Sequence, residues 1–535
     1  MKATLLFPPT WSLNVGNAHI ALPLLKAALD QQGVETTIRD LNWGAAEYYG
    51  IRIVEKAALA AAEEGTMEAM NTAYFDVEDR LMDIAAGYDG EWNLQLGFSF
   101  RDWSFNSSSD VRQALELTSP FTEYFKRSVV PWICQEEPGL IGFNIACSYQ
   151  IIPALHLTWL LRNSGYTGYV VFGGNTISRL RDEIKKCNWL FEFADGFILF
   201  QGEKPLVQLA RALQTNRDFS SVPNLIWKSN GHIVENRICK PPNPNNIPTP
   251  NFEGLPIGQY WGVNYLPLLA ARGCYYGKCP FCAIPYGYGN GGFGGIRDAK
   301  LVFEDMISLS ERWGMNRFKF MDEAMSPPLL EQLADHILRQ SVSFQWEGYL
   351  RLEKCWLNPT FVRKLGRSGF KKGYFGLEVY SGDTRGQLRK HDNGEKILTI
   401  LKLANDSGIK VQLFCMFGFP GTGRREAEKT VEFVLKNREL IDTVDLNPYV
   451  YARHTSVKEV TIIARHGHDW ALEYDYVPNA PGVLSSSEVN ELTKEMEEIV
   501  WQECPRLLHP VYRLVSPWLD VQPVTKESNA LSVAS

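Results

Sequence analysis

Short apolar runs and helix-spaced segments alternate along the first part of the chain. KATLLF (residues 2–7) is followed by two prolines and predicts a buried strand. ALPLLKAALDQQG (21–33) has helical spacing and ends in Gly, and VETTIRDL (34–41) predicts a second strand. The same rhythm returns after residue 131 with three strands and two helices. This order predicts α/β architecture, a Rossmann-like parallel sheet covered by helices over residues 1–239.

Two segments interrupt the alternation. Residues 48–131 contain alanine-rich and Ser-rich stretches, VEKAALAAAEEG and SFNSSSD, and predict a mostly helical insertion. Residues 240–258 hold six prolines, which prevent a helix or a central strand. We therefore expect a linker over residues 240–260 and a domain boundary there.

Strand and helix patterns alternate again in the second half. Units such as RFKFMDEA, LLEQLADHILRQ and KVQLFCMFGFPGTG repeat from residue 297 onward. Repeated units of this kind predict a full or partial β/α barrel of the TIM type over residues 261–476, with its active site at the carboxyl ends of the strands. SSSEVNELTKEMEEIVWQEC begins with helix-capping serines, so residues 477–535 are expected to be a small helical region with a frayed tail.

Composition narrows the class of protein. The chain has 535 residues, which is too long for one core, and 45% hydrophobic and 21% charged residues, as in ordinary globular proteins. The net charge of −7, without a long basic block, gives no sign of nucleic-acid binding. The sequence contains no apolar run of about 18 residues, so it predicts no membrane span. We expect a cytoplasmic enzyme, in which cysteines stay reduced unless they bind metal or react.

Small or polar residues end three strands of the first domain. In open α/β sheets, ligands bind outside the carboxyl ends of the strands, where glycines let the backbone approach closely. Each loop alone is explained equally well by a tight turn, whereas three such loops on one edge favour a ligand site. The candidate residues are Ser148, Tyr149, Gln150, Gly173, Gly174, Asn175, Gly202 and Glu203.

Three of the ten cysteines lie within nine residues, in GCYYGKCPFC. Cys274, Cys279 and Cys282 have C-x4-C-x2-C spacing. A structural zinc site needs four ligands, and no fourth Cys or His is near. A thioredoxin-like pair would not need Cys274. An iron–sulfur cluster held by three thiolates fits better, because one iron then stays open to a substrate or cofactor.

Polar residues also end the predicted barrel strands. Each of them alone could be a surface group, but several at successive strand ends, on the rim that carries the cysteines, indicate a site. The candidates are Asp322, Glu323, Arg351 and Glu378, together with Gly418 and Pro420 of the FGFPGTG loop that follows another strand. Cys415, at the end of another strand, is either a packed small residue or a hydrogen donor to a substrate radical.

The second half resembles the radical S-adenosylmethionine (radical SAM) enzymes. Their usual motif is C-x3-C-x2-C with an aromatic residue before the last cysteine; Phe281 is that aromatic, and the first gap here is one residue longer, at Gly277. FMDE, FGLE and FGFPGTG resemble further segments of the family. The resemblance implies a [4Fe-4S] cluster on the three cysteines with S-adenosylmethionine on its open iron. It also implies contacts of Asp322 and Glu323 with the methionine amine.

The remaining contacts implied by this resemblance concern the nucleoside. Glu378 would contact the ribose, and Gly418 and Pro420 would shape the loop near the adenine. An external one-electron reductant of the flavodoxin or ferredoxin type would be a partner.

The first domain resembles the cobalamin-binding domain that precedes the catalytic domain in one branch of this family. The resemblance covers residues 2–235 and includes NLIWKSNGHIVEN, which matches a closing hairpin. The Asp-x-His-x-x-Gly signature is absent, so no histidine is expected on the lower face of the cobalt.

Together the two resemblances imply a C-methyltransferase of natural-product biosynthesis. It would methylate an unactivated carbon of a peptide or small molecule. A radical rearrangement, ring contraction, cyclisation or epimerisation is the alternative chemistry. An iron–sulfur redox sensor is the alternative without catalysis.

Overall fold

The computed structural model describes residues 1–10, 17–51, 56–58, 60–61, 64, 66–88, 90–93, 97–116, 118–260, 265–289, 292–380, 394–455 and 457–516. The predicted tail beyond residue 516 lies outside these ranges, as do parts of the predicted insertion. Among the described residues, no helix combines the length and the apolar character needed to cross a bilayer.

A seven-stranded sheet forms the centre of the first domain. The strands of this domain are, in chain order, β1 Lys2–Phe7, β2 Glu35–Asp40, β3 Gly90–Asn93, β4 Gly97–Phe100, β5 Leu140–Asn144, β6 Tyr169–Gly173, β7 Gly196–Ile198, β8 Leu225–Ser229 and β9 His232–Glu235. Strands β3 and β4 form a separate hairpin, and the other seven form the sheet. The order in the sheet is β2-β1-β5-β6-β7-β8-β9. The first five strands of that order pair in parallel, as predicted, and β8 and β9 close the sheet as an antiparallel hairpin.

Helices cover both faces of this sheet and form much of the insertion. They are α1 Ala21–Asp30, α2 Leu41–Tyr48, α3 Met67–Ala86, α4 Ser108–Gln113, α5 Pro120–Tyr124, α6 Val130–Glu136, α7 Ile151–Asn163, α8 Asn175–Arg179, α9 Arg181–Ile184 and α10 Glu203–Gln214. Of the alanine-rich stretch at residues 54–65, the structure describes only 56–58, 60–61 and 64. The long helix α3 follows this stretch, and its buried face carries Met70, Val77 and Leu81 at helical spacing. The hairpin β3–β4 also lies in the insertion, which is therefore not helical throughout.

Six parallel strands form the sheet of the second domain. The strands of this half are β10 Leu266–Leu268, β11 Ala271–Gly273, β12 Phe293–Ile296, β13 Arg317–Phe320, β14 Gln345–Arg351, β15 Phe370–Glu378, β16 Lys410–Phe417 and β17 Thr443–Pro448. The sheet order is β10-β13-β14-β15-β16-β17, an open arc and thus a partial barrel. Strands β11 and β12 form a separate antiparallel ribbon at its first edge.

The helices of this half are α11 Ile284–Gly287, α12 Ala299–Trp313, α13 Pro327–Gln340, α14 Pro359–Arg367, α15 Gly394–Asp406 and α16 Arg424–Lys436. Five of them, α12 to α16, follow the strand–helix alternation that the sequence predicts, and their apolar stripes pack on the outside of the arc. One continuous hydrophobic cluster contains Leu29 and Val171 of the first domain together with Leu266 and Phe318 of the second. The two sheets therefore share a core.

Three short strands precede the C-terminal helices, at positions that the sequence assigned almost entirely to the barrel domain. Strands β18 Tyr451–Ala452, β19 Val460–Ile463 and β20 Glu473–Pro478 form a three-stranded antiparallel sheet, which the sequence pattern did not reveal. Helices α17 Ser486–Glu503 and α18 Pro510–Val515 follow. Ser485 caps α17 and exchanges hydrogen bonds with Glu488, as its sequence predicts.

Candidate functional site

The three clustered cysteines lie on one loop directly after β11. Gly273 ends that strand at φ +80°, and a Cβ there would lie 2.3 Å from the carbonyl oxygen of Gly292. Gly277, where the longer first gap needs a turn, has φ +58°, a conformation that glycine adopts without strain. Both glycines let the loop fold back over the end of the sheet.

Arg351, the last residue of β14, contacts the cysteine loop. Its guanidinium lies 3.9 Å from Cys279 Sγ and 3.5 Å above the ring of Tyr276. Glu353 accepts hydrogen bonds from Arg351 Nε and from the Tyr275 hydroxyl, both at 2.9 Å. The barrel rim thus places a positive charge beside a sulfur that would be negative as a cluster ligand.

The thiols are accessible in part. Cys274, Cys279 and Cys282 are each half-buried, and none of the ten cysteines, all within the described ranges, forms a disulfide. Burial raises the pKa of Cys282 to about 11, so this thiol keeps its proton until a metal displaces it. No three His, Cys, Asp or Glu side chains of the described residues converge as ligands of one metal ion.

Asp322 and Glu323 follow β13 and have different environments. Asp322 is 2% exposed, and both of its carboxylate oxygens accept from the Ala270 backbone N–H, at 3.0 and 3.1 Å. Burial raises its pKa to about 7. Glu323 accepts from the Tyr288 hydroxyl at 3.0 Å, and burial raises its pKa too. Asp322 therefore fixes the corner between β10 and β11, whereas Glu323 lies beside the cysteine loop.

The ends of β15 and β16 carry unusual backbone conformations. Glu378 has φ +62°, which is uncommon for a residue with a side chain and typical of functional positions. Gly418 has φ +74°, and a Cβ there would lie 2.2 Å from Val489 Cγ2 of α17. Phe281 packs edge-on against Phe419 with ring centroids 6.1 Å apart. Pro420 is buried in the same loop. The C-terminal helix, the glycine-rich loop and the cysteine loop thus meet at the rim.

The candidate residues of the first domain have unequal surroundings. Gln150 is fully buried and ties the β5 loop to the Pro8 carbonyl at 2.8 Å, so it has a structural role. Tyr149 packs against Phe105 at 4.5 Å, and Ser148 begins the same short turn. Gly174 has φ +104°, and a Cβ there would lie 2.5 Å from the Ile145 carbonyl oxygen. This close approach requires glycine.

A narrow apolar cavity opens beside these strand ends. Gly173, Gly174 and Gly202 line it, with a volume of about 80 Å³. Asn144, at the end of β5, lines it as well; its Oδ1 is buried and accepts no hydrogen bond from the residues that the structure describes. A buried acceptor without a donor is costly, which points to a ligand group here. The volume suits an apolar appendage of a larger molecule.

Several contacts join the strand ends of the first domain to the cysteine loop. Glu203 forms an ion pair with Arg272, two residues before Cys274. Their side chains are only 15% and 13% exposed. Gln201 Nε2 donates to the Tyr288 carbonyl at 3.2 Å, and the Tyr288 hydroxyl in turn binds Glu323. The two candidate ligand sites therefore face each other across one interface.

Cys415 lies apart from this interface. It is 1% exposed and belongs to the hydrophobic cluster that contains Leu413 and Phe417. Phe414 and Met416, which alternate with it along β16, are the partly accessible residues. This placement favours the packed-residue alternative, and its role as a hydrogen donor stays a prediction.

The residues present fit both groups that the sequence implies. The cysteine loop offers three thiols, a nearby guanidinium and a rim of carboxylates, which suits a cluster with an open iron. The first domain offers the cavity lined by Gly173, Gly174 and Gly202, together with a buried Asn144 acceptor that has no donor among the described residues. The sequence analysis included Glu203 but not its partner Arg272, and it also missed Tyr288 and Lys319. Among the missed residues, Lys319 carried a signal, since it is a charged residue between two phenylalanines of a strand.

Comparison with known proteins agrees with this geometry. The model of the radical SAM superfamily matches residues 268–434, which include the three cysteines and the loop at Gly418. Residues 268–434 thus form a radical SAM domain.

Solved structures extend the likeness to the first domain. TsrM from Kitasatospora setae, a radical S-adenosylmethionine methyltransferase with cobalamin and a [4Fe-4S] cluster bound, matches with a TM-score of 0.59 and 14% identity over 92% of this chain and 90% of that one. OxsB, a cobalamin-dependent S-adenosylmethionine radical enzyme, matches with a TM-score of 0.60 and 12% identity over 93% and 66%. These matches confirm the expected architecture. At such low sequence identity the likeness concerns the fold alone.

Two curated relatives are methyltransferases by name. An uncharacterized methyltransferase of Pyrococcus horikoshii, PH0819, is 22% identical over 310 residues, 56% of this chain and 64% of the relative. The bacteriochlorophyllide d C-12(1)-methyltransferase of Chlorobaculum tepidum is 27% identical over 178 residues, 32% and 38%. The alignments span less than two thirds of either relative.

Proposed function

We propose that the protein is a cobalamin-dependent radical SAM C-methyltransferase, which methylates an unactivated carbon of a small-molecule or peptide substrate in natural-product biosynthesis. The proposal includes a cytoplasmic location and an external one-electron reductant of the flavodoxin or ferredoxin type. The observation that carries it is the direct contact between the strand ends of the first domain and the cysteine loop, through Glu203 and Arg272.

Named residues would hold the cluster and S-adenosylmethionine. Cys274, Cys279 and Cys282 would ligate three irons, and Arg351 would compensate the negative charge of the thiolates. Glu323 would accept hydrogen bonds from the methionine amine. When bound, the cluster supplies an electron for reductive cleavage of S-adenosylmethionine, and cobalamin carries a methyl group.

The glycine-rich loop would bind the nucleoside. Glu378 would accept from the ribose hydroxyls, and the loop of Gly418 and Pro420 would lie along the adenine. Because α17 packs on Gly418, this loop is held in place before S-adenosylmethionine binds.

The first domain would hold cobalamin. Gly173, Gly174 and Gly202 would let the corrinoid approach the backbone, with Ser148, Tyr149, Asn175 and Glu203 around it. Gln150 would hold the loop after β5 in place through its hydrogen bond to the Pro8 carbonyl. Asn144 Oδ1 would accept a hydrogen bond from a polar group of the cofactor. The chain contains no Asp-x-His-x-x-Gly sequence, the signature whose histidine binds cobalt. The lower face of the cobalt would therefore lack a histidine ligand.

The alternative is a radical rearrangement, cyclisation or epimerisation without methyl transfer. The position of Cys415, buried away from the accessible face of β16, speaks against a thiol hydrogen donor of the kind that epimerisation uses.

Anaerobic turnover tests the proposal. Protein reconstituted with iron, sulfide and hydroxocobalamin should retain a corrinoid absorbance band after desalting. With methyl-deuterated S-adenosylmethionine, a reductant and a substrate encoded by neighbouring genes, it should give 5′-deoxyadenosine and a product that gains one deuterated methyl group. Cys279→Ala should abolish both products while cobalamin remains bound. Loss of cobalamin on desalting, or 5′-deoxyadenosine without methyl gain, would contradict methyl transfer.

A further inference from the structure

Alternate residues of the barrel strands face the concave side of the arc. In β13 and β14, Phe318, Phe320 and Trp346 are fully buried in the cluster that the outer helices share. Lys319 and Tyr349, at the intervening positions, are partly accessible. Since strand side chains alternate between faces, these residues line the interior of the barrel.

A charged pair lies in this interior. Lys319 and Glu347 are register partners on β13 and β14, with Lys319 Nζ 3.2 Å from Glu347 Oε1. Tyr374 of β15 completes the group: its hydroxyl lies 3.1 Å from Lys319 Nζ and 3.0 Å from Glu347 Oε1. Burial lowers the pKa of Lys319, but Glu347 and the nearby tyrosines raise it more, so the amine stays charged. The pair is neutral as a whole and attracts neither anions nor cations strongly.

One atom of this group has no partner. Glu347 is 1% exposed, yet its Oε2 accepts no hydrogen bond from the residues that the structure describes. A buried carboxylate oxygen without a donor costs about 1–3 kcal/mol or more. Such an atom is a natural acceptor for an N–H or O–H group that arrives with a ligand.

Three aromatic rings lie above the pair. Tyr349 stacks on Tyr374 with centroids 4.9 Å apart and planes 29° apart, and Phe414 lies 6.1 Å from Tyr349 at 17°. Tyr349 and Phe414 are partly accessible. Nearly parallel, partly accessible rings suit a flat ring better than a branched aliphatic group.

We propose that Lys319, Glu347, Tyr349 and Phe414 form a substrate pocket inside the barrel that recognises a neutral, flat aromatic or heteroaromatic ring bearing an N–H or O–H donor. The donor binds Glu347 Oε2, and the ring stacks on Tyr349 and Phe414. This inference rests on the proposed function, for which it specifies the substrate class.

Indole and benzofuran are matched probes of this pocket. They have the same shape, but only indole carries an N–H donor. Binding to the anaerobically reconstituted full chain can be measured by ligand-observed NMR titration. The wild-type protein should bind indole about 10- to 100-fold more tightly than benzofuran, the range expected for a hydrogen bond to a charged acceptor.

Two variants test the roles of the residues. Lys319→Met/Glu347→Met removes both charges, so that neither is left buried alone, and should reduce the indole-to-benzofuran preference to about onefold. Tyr349→Leu keeps the pair and should weaken both probes by a similar factor. Asp442→Asn is the matched control, because Asp442 is a buried acid paired with Lys372 at 2.8 Å in the same barrel. It should lower stability but keep the preference.

The results separate this inference from the proposed function. Equal binding of the two probes to wild-type protein, or an unchanged preference in the double variant, would overturn the ring-recognition inference. If the double variant does not fold, the wild-type preference and Tyr349→Leu still decide it. The same samples are tested for 5′-deoxyadenosine formation. A strong indole preference without that product would contradict the radical SAM function and leave the pocket intact.

Discussion

Replacing Gly418 by alanine tests how the C-terminal helix holds the glycine-rich loop. The residue has φ +74°, so any side chain costs about 1–2 kcal/mol in backbone strain. The new Cβ would also lie 2.2 and 2.6 Å from the two methyl groups of Val489, an overlap that costs about 1–3 kcal/mol more. The total is a loss of about 2–5 kcal/mol.

Gly408→Ala is a matched control. Gly408 has φ +71°, but a Cβ there meets nothing within 4 Å, so this variant isolates the backbone strain. At about 2–4 °C per kcal/mol, Gly408→Ala should lower the apparent Tm by about 2–8 °C and Gly418→Ala by about 4–20 °C. Differential scanning calorimetry under anaerobic conditions measures both.

A double-mutant cycle with Val489→Ala then isolates the overlap. Val489 is fully buried, so its truncation alone destabilises the protein. Truncation makes room for the new Cβ, and the double variant should be about 1–3 kcal/mol more stable than the sum of the single losses predicts. Equal losses for Gly418→Ala and Gly408→Ala, together with simple additivity in the cycle, would refute the claim that α17 packs directly on this loop.

Three further predictions concern the interface and the cysteine loop. Arg272→Met leaves the Glu203 carboxylate buried without its cation and should destabilise the protein by about 3–5 kcal/mol in thermal unfolding. The double variant Arg272→Met/Glu203→Met should recover most of that loss. An unaltered Tm in Arg272→Met would show that the pair is unimportant. Because burial raises the pKa of Asp322 to about 7, the stability that its protonation contributes is present below about pH 4 and is lost as the pH rises through 7. The stability of Asp322→Asn relative to wild type should therefore rise as the pH increases from about 4 to about 7, and a pH-independent difference in Tm would contradict this. Arg351→Met removes the positive charge beside Cys279 and should reduce the iron retained after desalting, compared with the exposed-residue control Arg424→Met.

The fold was predictable where local patterns are strong. The strands that flank α1 and the strand–helix units of the barrel follow from apolar runs and glycine stops alone, because each of these elements buries one face against a neighbour. The three-stranded sheet of β18, β19 and β20 was not predictable. Its strands are short, and Ile462 and Ile463 are exposed, so the alternation of apolar and polar residues that marks a strand is lost.

The site was predictable where residues act close together in sequence. The cysteine spacing and the acids at strand ends predicted a site at the rim; in the structure Arg351 contacts Cys279, and Glu323 binds Tyr288, while the role of these residues as a cofactor site stays a prediction. Contacts across the two domains were not predictable, because Glu203 and Arg272 meet only after both sheets have folded. The separate roles of Asp322 and Glu323 likewise depend on partners, Ala270 and Tyr288, that sequence adjacency does not indicate.

The most direct test of the account is spectroscopic. Anaerobically reconstituted protein should contain about four irons and four sulfides per chain, and after reduction its electron paramagnetic resonance spectrum should change when S-adenosylmethionine is added, because one iron lacks a cysteine ligand. The triple variant of Cys274, Cys279 and Cys282 to alanine should contain neither iron nor sulfide. Zinc in place of iron, no inorganic sulfide, or a spectrum that S-adenosylmethionine leaves unchanged would contradict the central claim.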